Sequence, residues 1–278
     1  MNNFWVRTLS SLVFGGLVVT SLLFFPIYFG VVFLVFMIVA LSEFYHISIG
    51  NLFYIPQTCA FVTAVVFFVL VFLHNCIGLG TRWLWAAIIP LALVQISTIF
   101  LSVNERRELS RFPYIYYGLG YIALPFSLAS CLVFRDGDFD GMRLLCFFIL
   151  IWMNDIGAYV FGTAFGQGPN AKKLAPSISP KKSWVGFWAG LITCIGSAVA
   201  LKYIGLLDLP IVHACALGLI IGIGGVCGDL FESIWKRYFN VKDSGNCIPG
   251  HGGMLDRFDS SLVAVPLASV YLALFGLL

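Results

Sequence analysis

The chain has 278 residues, of which 60% are hydrophobic and 10% charged, with a formal net charge of +3. A soluble domain carries roughly a quarter charged residues, so this composition excludes a water-soluble globule and points to a protein built for lipid. The small net charge says little about partners, which local clusters decide, and no nucleic-acid partner is expected.

Apolar runs recur at about 8 to 25, 27 to 42, 52 to 73, 83 to 101, 113 to 134, 142 to 165, 183 to 201, 210 to 232 and 260 to 277. Most approach the roughly 17 to 25 residues that a bilayer-spanning helix needs. They predict an all-α, polytopic integral membrane bundle of about nine transmembrane helices. The run at 27 to 42 is short and follows Pro26, so the first two runs read as a tight hairpin or include a re-entrant segment, and eight spans is the alternative. The first run is longer than a signal peptide's apolar core and more apolar sequence follows it, so it is read as retained. The eight cysteines show no C-x-x-C and fall mostly inside apolar runs, as small buried hydrophobes do.

Nine spans place Arg82, Arg135, Arg143 and Lys202 on one side and the other twelve of the 16 basic residues on the N-terminal side. Cytoplasmic loops are enriched in Lys and Arg. The N-terminus and the loops at 166 to 182 and 233 to 259 are therefore expected in the cytoplasm. Residues 1–134 read as scaffold helices without a catalytic constellation, and the "NERRELSR" at 104 to 111 as a solvated loop or headgroup contact. Residues 135–278 read as the catalytic region of what is otherwise a single membrane domain.

Three stretches carry chemistry. In "WMNDIGAYVFGTAFG", 152 to 166, Asp155 lies inside an apolar helix with Asn154 beside it and Tyr159 four residues on. An ionised carboxylate there costs several kcal/mol unless paired, coordinated or hydrated, so Asp155 either makes a structural bond between helices or lines a wet cavity. Gly157, Gly162 and Gly166 read as packing positions.

In "SISPKKSWVG", 177 to 186, Ser179, Lys181, Lys182 and Ser183 precede an apolar helix. Hydroxyls, ammonium groups and free helix N–H groups there can bind phosphate, although two lysines beside a span also serve as anchors.

The third stretch runs from "GDLFESIWKR", 228 to 237, into "KDSGNCIPGHGGMLDRFDS", 242 to 260. Asp229 and Glu232 share a helix face, with Ser233 and Lys236 four residues beyond each. Gly252 and Gly253 leave backbone N–H groups open to an anion, and Asp256 and Asp259 are again three apart, around Arg257. Carboxylates beside basic residues and glycines suit Mg²⁺ bridged to phosphates.

At this spacing Ser233, Lys236, Arg237, Lys242, Asp243, Gly245, Pro249, His251, Gly252, Gly253, Asp256, Arg257 and Asp259 closely resemble the C-terminal motif of the phosphatidate cytidylyltransferases, or CDP-diacylglycerol synthases. "NDIGAY" and "SPKKSW" resemble that family too, whereas residues 1–134 match only as a set of spans. Two departures stand out: Val185 where the family usually has Glu, and Trp235 where it has an aliphatic residue. The first removes a carboxylate role from 177 to 186; the second is expected to alter packing rather than chemistry.

The resemblance implies transfer of a cytidylyl group from CTP to phosphatidic acid in the bilayer, for phospholipid biosynthesis. The products are CDP-diacylglycerol and pyrophosphate, and Mg²⁺ is required, with a second cation such as K⁺ as a further candidate. The expected metal set is Asp229, Asp256 and Asp259. Lys181, Lys182, Lys236, Arg237 and Arg257 are expected to neutralise phosphates. Ser179, Ser183, Lys242, His251, Gly252, Gly253, Asn154 and Asp155 complete the substrate set. His251 is read as a phosphate ligand and not a base, because the attacking phosphate is already largely ionised. The expected location is the cell's inner membrane, with the site facing the cytoplasm. The spacing of Gly218 and Gly222 fits either a homodimer or packing within one chain. Asp243 stays open between a site contact and a loop pair. A related lipid phosphate as acceptor is one competing reading. A transporter is another, disfavoured because most charge lies in loops and repeats are absent.

Overall fold

The computed structural model describes residues 3–135, 137–168, 171–250 and 252–278, with side chains from residue 8 onward. It is a helical membrane protein. Among the described residues nine long helices follow one another: α1 Asn3–Leu23, α2 Pro26–Ser48, α3 Tyr54–Ile77, α4 Thr81–Phe100, α5 Leu109–Leu132, α6 Met142–Phe165, α7 Trp184–Tyr203, α8 Ile211–Tyr238 and α9 Leu255–Leu274. Eight of them, α2 to α9, are long and apolar enough to cross a bilayer, and Thr8–Leu23 of α1 forms a shorter apolar helix. Two antiparallel ribbons interrupt the helices: β1 Phe134–Arg135 with β2 Asp138–Phe139, and β3 Lys173–Ala175 with β4 Ser179–Ser183.

The helix that the sequence ended at residue 42 continues to Ser48, giving 23 residues and a full span. Pro26 stands in its first turn, where a missing N–H costs nothing. Beyond Ser42, hydropathy falls but the packed face persists. Phe44, Tyr45 and Ser48 are buried, and the Tyr45 hydroxyl donates to Ile115 O at 2.7 Å. α5 passes through a π turn at Leu119–Ala123 just before Pro125, which lacks the N–H that a regular turn would use there.

The chain forms two compact units. One comprises Met1–Asp140 with Asp243–Arg257, the other Gly141–Lys242 with Phe258–Leu278. The first has an aromatic core in which Phe29, Phe33, Phe44 and Phe68 are almost fully buried. A Cβ at Gly118 would lie 2.5 Å from the Tyr45 ring, so glycine lets α5 close on α2.

The second unit is held by small residues, as expected where lipid supplies no hydrophobic drive between helices. A Cβ at Gly186 would lie 2.9 Å from Ala158 O and one at Gly190 2.8 Å from Asn154 O, so α7 runs backbone to backbone along α6. α8 carries two glycine stripes. Gly218 and Gly222 meet Ile195 and Leu191 of α7, while Gly224 and Gly228 meet Ala264 and Asp259 of α9. The Gly218 and Gly222 spacing is thus engaged within the chain. Trp235 is buried and packs edge-on against Phe239, just past the end of α8.

Candidate active site

The α8 sequence repeats small and polar residues every three or four positions, so Asp229, Glu232, Ser233 and Lys236 follow one another along the helix surface. Ser233 donates to Asp229 Oδ1 at 3.3 Å, and Lys236 Nζ pairs with the buried Glu232 at 2.9 Å. Arg237 and Lys242 are exposed.

"SPKKS" is an extended strand because β3 pairs with it, with Lys173 opposite Ser183 and Ala175 opposite Ser179. Gln167, just past α6, latches the ribbon by donating to Lys181 O at 2.9 Å and Gly162 O at 3.1 Å, and Lys173 Nζ donates to Gln167 Oε1 at 2.6 Å. Ser183 caps α7, its hydroxyl accepting from Gly186 N at 3.1 Å. That bond satisfies one of the free helix donors that the sequence offered to phosphate. Ser179 is half-buried at the ribbon's turn, and the exposed Val185 follows in the first turn of α7.

The ribbon delivers Lys182 to Asp229, and the two form an ion pair. Asp155, from α6, interacts electrostatically with both. Asp259, from α9, interacts with Asp229, Asp155 and Lys236, and its Oδ1 accepts from Ser260 N at 2.6 Å. Four elements distant in sequence therefore converge. A cavity of about 600 Å³ opens beside them, lined by Asn154, Asp155, Tyr159, Lys181, Lys182 and Asp229 among others. That volume is typical of a small-ligand site. Asn154 is 2% exposed, and its Oδ1 has no hydrogen-bond partner. A buried carbonyl oxygen of that kind is costly unless a donor or cation arrives.

Of the three carboxylates expected to hold metal, Asp229 and Asp259 join this cluster. Asp256 belongs to the first unit, and its Oδ2 accepts from Ser244 N at 2.9 Å and Gly253 N at 2.8 Å. The backbone N–H of Gly253 is thereby engaged by Asp256, and a Cβ at Gly252 would lie 2.6 Å from the same carboxylate. Arg257 and Asp243 are exposed. His251 lies outside the described residues.

Asp155, Asp229 and Asp259 supply hard carboxylate oxygens of the kind Mg²⁺ takes, while the unpartnered Asn154 Oδ1 lies toward Gly190 and Gly222. Among the described residues no group of three or more His, Cys, Asp or Glu side chains is placed to hold a metal ion. Mg²⁺ ordinarily takes only one or two carboxylates beside water and substrate oxygens, a number that Asp229 and Asp259 can supply.

The residue that sequence reasoning missed is Glu43. It is half-buried on α2 and accepts from Ser244 Oγ at 3.0 Å, Met254 N at 2.9 Å and Leu255 N at 2.9 Å. Its signal was available: it is the one acidic residue in the 23-residue α2, and intramembrane carboxylates are seldom idle.

The chain matches the Cytidylyltransferase family over residues 5–275. It is 34% identical over 190 residues to the phosphatidate cytidylyltransferase of Staphylococcus epidermidis, covering 68% of this chain and 71% of that protein. The Staphylococcus aureus protein of the same name shows the same identity and coverage, 34% over 190 residues. The Bacillus subtilis phosphatidate cytidylyltransferase is 36% identical over 188 residues, covering 68% of this chain and 58% of that protein. The chain therefore belongs to the Cytidylyltransferase family and is a nucleotidyltransferase, as the motifs at 152 to 166, 177 to 186 and 228 to 259 implied.

Proposed function

We propose, with membership of that family as the premise, that the chain transfers the cytidylyl group of CTP to phosphatidic acid, forming CDP-diacylglycerol and pyrophosphate. The observation that carries the reading is the convergence of Lys182, Asp229 and Asp155 at a cavity in a membrane bundle, with Asp259 in electrostatic contact with the two aspartates. One substrate is a lipid and the other a soluble nucleotide, so the site belongs at a membrane boundary, and the basic-residue count favours the cytoplasmic face.

In the reaction a phosphate oxygen of the lipid attacks the α-phosphorus of CTP. The new P–O bond forms as the bond to the β-phosphate oxygen breaks, and pyrophosphate leaves with the electron pair. Catalysis is then mainly alignment and charge neutralisation. The lipid phosphate is ionised near neutral pH, so no side chain needs to take its proton. Lys182 and Lys181 draw the phosphates to the cavity. On arrival, phosphate competes with Asp229 for the Lys182 ammonium and frees that carboxylate. Asp229 and Asp259 would hold Mg²⁺, which when bound supplies charge neutralisation for the developing pyrophosphate. Asp155 holds the Lys182 side of the cluster, and Lys236 offsets the charge of Asp259. Asp256, by its loop bonds, shapes the 243–257 segment that presents Arg257.

The test is pyrophosphate release from CTP by the detergent-purified protein. Release that requires both phosphatidic acid and Mg²⁺ supports the reading. Release with another lipid phosphate but not with phosphatidic acid overturns the acceptor, and ion flux through vesicles without any CDP-lipid overturns the reaction class.

A further inference from the structure

Glu43 lies on a helix far in sequence from every motif described above, yet its hydrogen-bond partners Ser244, Met254 and Leu255 all fall in the stretch that runs from the end of α8 into the start of α9. One oxygen accepts from Met254 N at 2.9 Å, the other from Leu255 N at 2.9 Å and Ser244 Oγ at 3.0 Å. Met254 and Leu255 open α9, whose first N–H groups have no partner within the helix and carry the positive end of its dipole. The carboxylate therefore does for α9 what a capping side chain does elsewhere, but from another helix.

The segment is shaped to admit it. A Cβ at Gly245 would lie 2.5 Å from Glu43 Oε1, and a Cβ at Gly253 would strike both Glu43 and Ser244. Two glycines of the motif thus leave room for a side chain more than 200 positions away. Ser244 then links Glu43 to Asp256: its hydroxyl donates to Glu43 and accepts from Asp256 N at 3.3 Å, while its N–H donates to Asp256 Oδ2 at 2.9 Å. The Ile248 N–H to Gly252 O bond, 3.0 Å, closes the loop between these anchors.

We propose that Glu43 is a positioning residue for the transfer reaction, acting through the 243–257 loop that it clamps to the start of α9. The proposal rests on the cytidylyl-transfer reading. Glu43 acts through Ser244, setting the conformation of the loop that carries Asp256 and Arg257.

The test uses full-length Glu43→Gln, Ser244→Ala and the double variant, with steady-state kinetics and amide hydrogen exchange measured on each. Glutamine keeps the size but turns an NH₂ donor toward donors, so kcat should fall by about 10- to 100-fold, with the KM for CTP within about threefold of wild type. Exchange of the 243–257 amides should quicken by about tenfold or more, with α6 to α8 unchanged. The double variant should be no worse than the more damaged single one, because both changes break one linkage. Additive losses, unchanged loop exchange, faster exchange in every helix, or a loosened loop with normal kcat would each overturn the proposal. A wild type that makes no CDP-lipid overturns the reaction reading and the catalytic half of this proposal, while loop exchange still decides whether Glu43 is the clamp.

Discussion

Lys182 of β4 and Asp229 of α8 are ion-paired across 47 positions of sequence, with side chains 26% and 34% exposed. A pair this open is neither a buried strut nor a loose surface contact. It can exchange its carboxylate for an incoming phosphate, since charge-assisted bonds to either are similar in kind.

Lys182→Met should therefore lower kcat/KM for CTP by about 100-fold, by leaving Asp155 and Asp229 without their cation and phosphate without its lysine. Lys182→Arg should recover part of the loss, because the charge returns on a group of different shape. Steady-state kinetics in detergent micelles check both, and a Met variant within about threefold of wild type contradicts the account.

Gly228→Ala should be among the most damaging small changes in the second unit. Its Cβ would strike the carbonyl of Asp259, so α9 must shift from α8 at the site itself. Activity should drop by about tenfold or more, together with the melting temperature. Gly196→Ala is the control, because nothing lies within 4 Å of the Cβ it would add. A thermal-shift assay beside activity separates the two.

Asn154→Leu should move stability and activity in opposite directions. Removing a buried oxygen without a partner, at nearly constant volume, should raise the melting temperature by a few degrees, on the order of 1 kcal/mol. Transfer should fall all the same, because Asn154 lines the cavity proposed to take the substrates. A lower melting temperature would mean that Asn154 is a structural bond between helices.

The spans were readable because a bilayer demands long apolar segments, and the expected and observed helices differ mainly at their ends. α2 was underestimated because hydropathy drops at Ser42 and Glu43, while burial of Phe44 and Tyr45 carries the helix on. Lys182, Asp229 and Asp259 were legible as residue types at telling spacings. The pairing of Lys182 with Asp229 was not, since it depends on how the ribbon folds back. Glu43 was visible as the one acid of α2, but near the helix end it reads as an ordinary boundary charge, and its partners are mostly backbone N–H groups, which no sequence pattern advertises.

Lys236 and Arg237 are adjacent, yet they should behave differently. Lys236 faces the almost fully buried Glu232, whereas Arg237 is exposed. Lys236→Met should lower the melting temperature by several degrees, as loss of a partner to a buried charge does. Arg237→Ala should leave it within about 1 °C, as exposed changes usually do, and raise the KM for CTP instead. Equal thermal shifts in the two variants would remove the distinction.

The most direct measurement follows label from the α-phosphate of CTP into the lipid phase, for wild type and Asp229→Asn across a Mg²⁺ titration. Lipid-soluble label should appear in the wild type only when CTP, phosphatidic acid and Mg²⁺ are all present, and should fall by about 100-fold or more in folded Asp229→Asn. Label that enters lipid without phosphatidic acid, or an Asp229→Asn variant within about twofold of wild type, would refute metal-assisted cytidylyl transfer at Asp229.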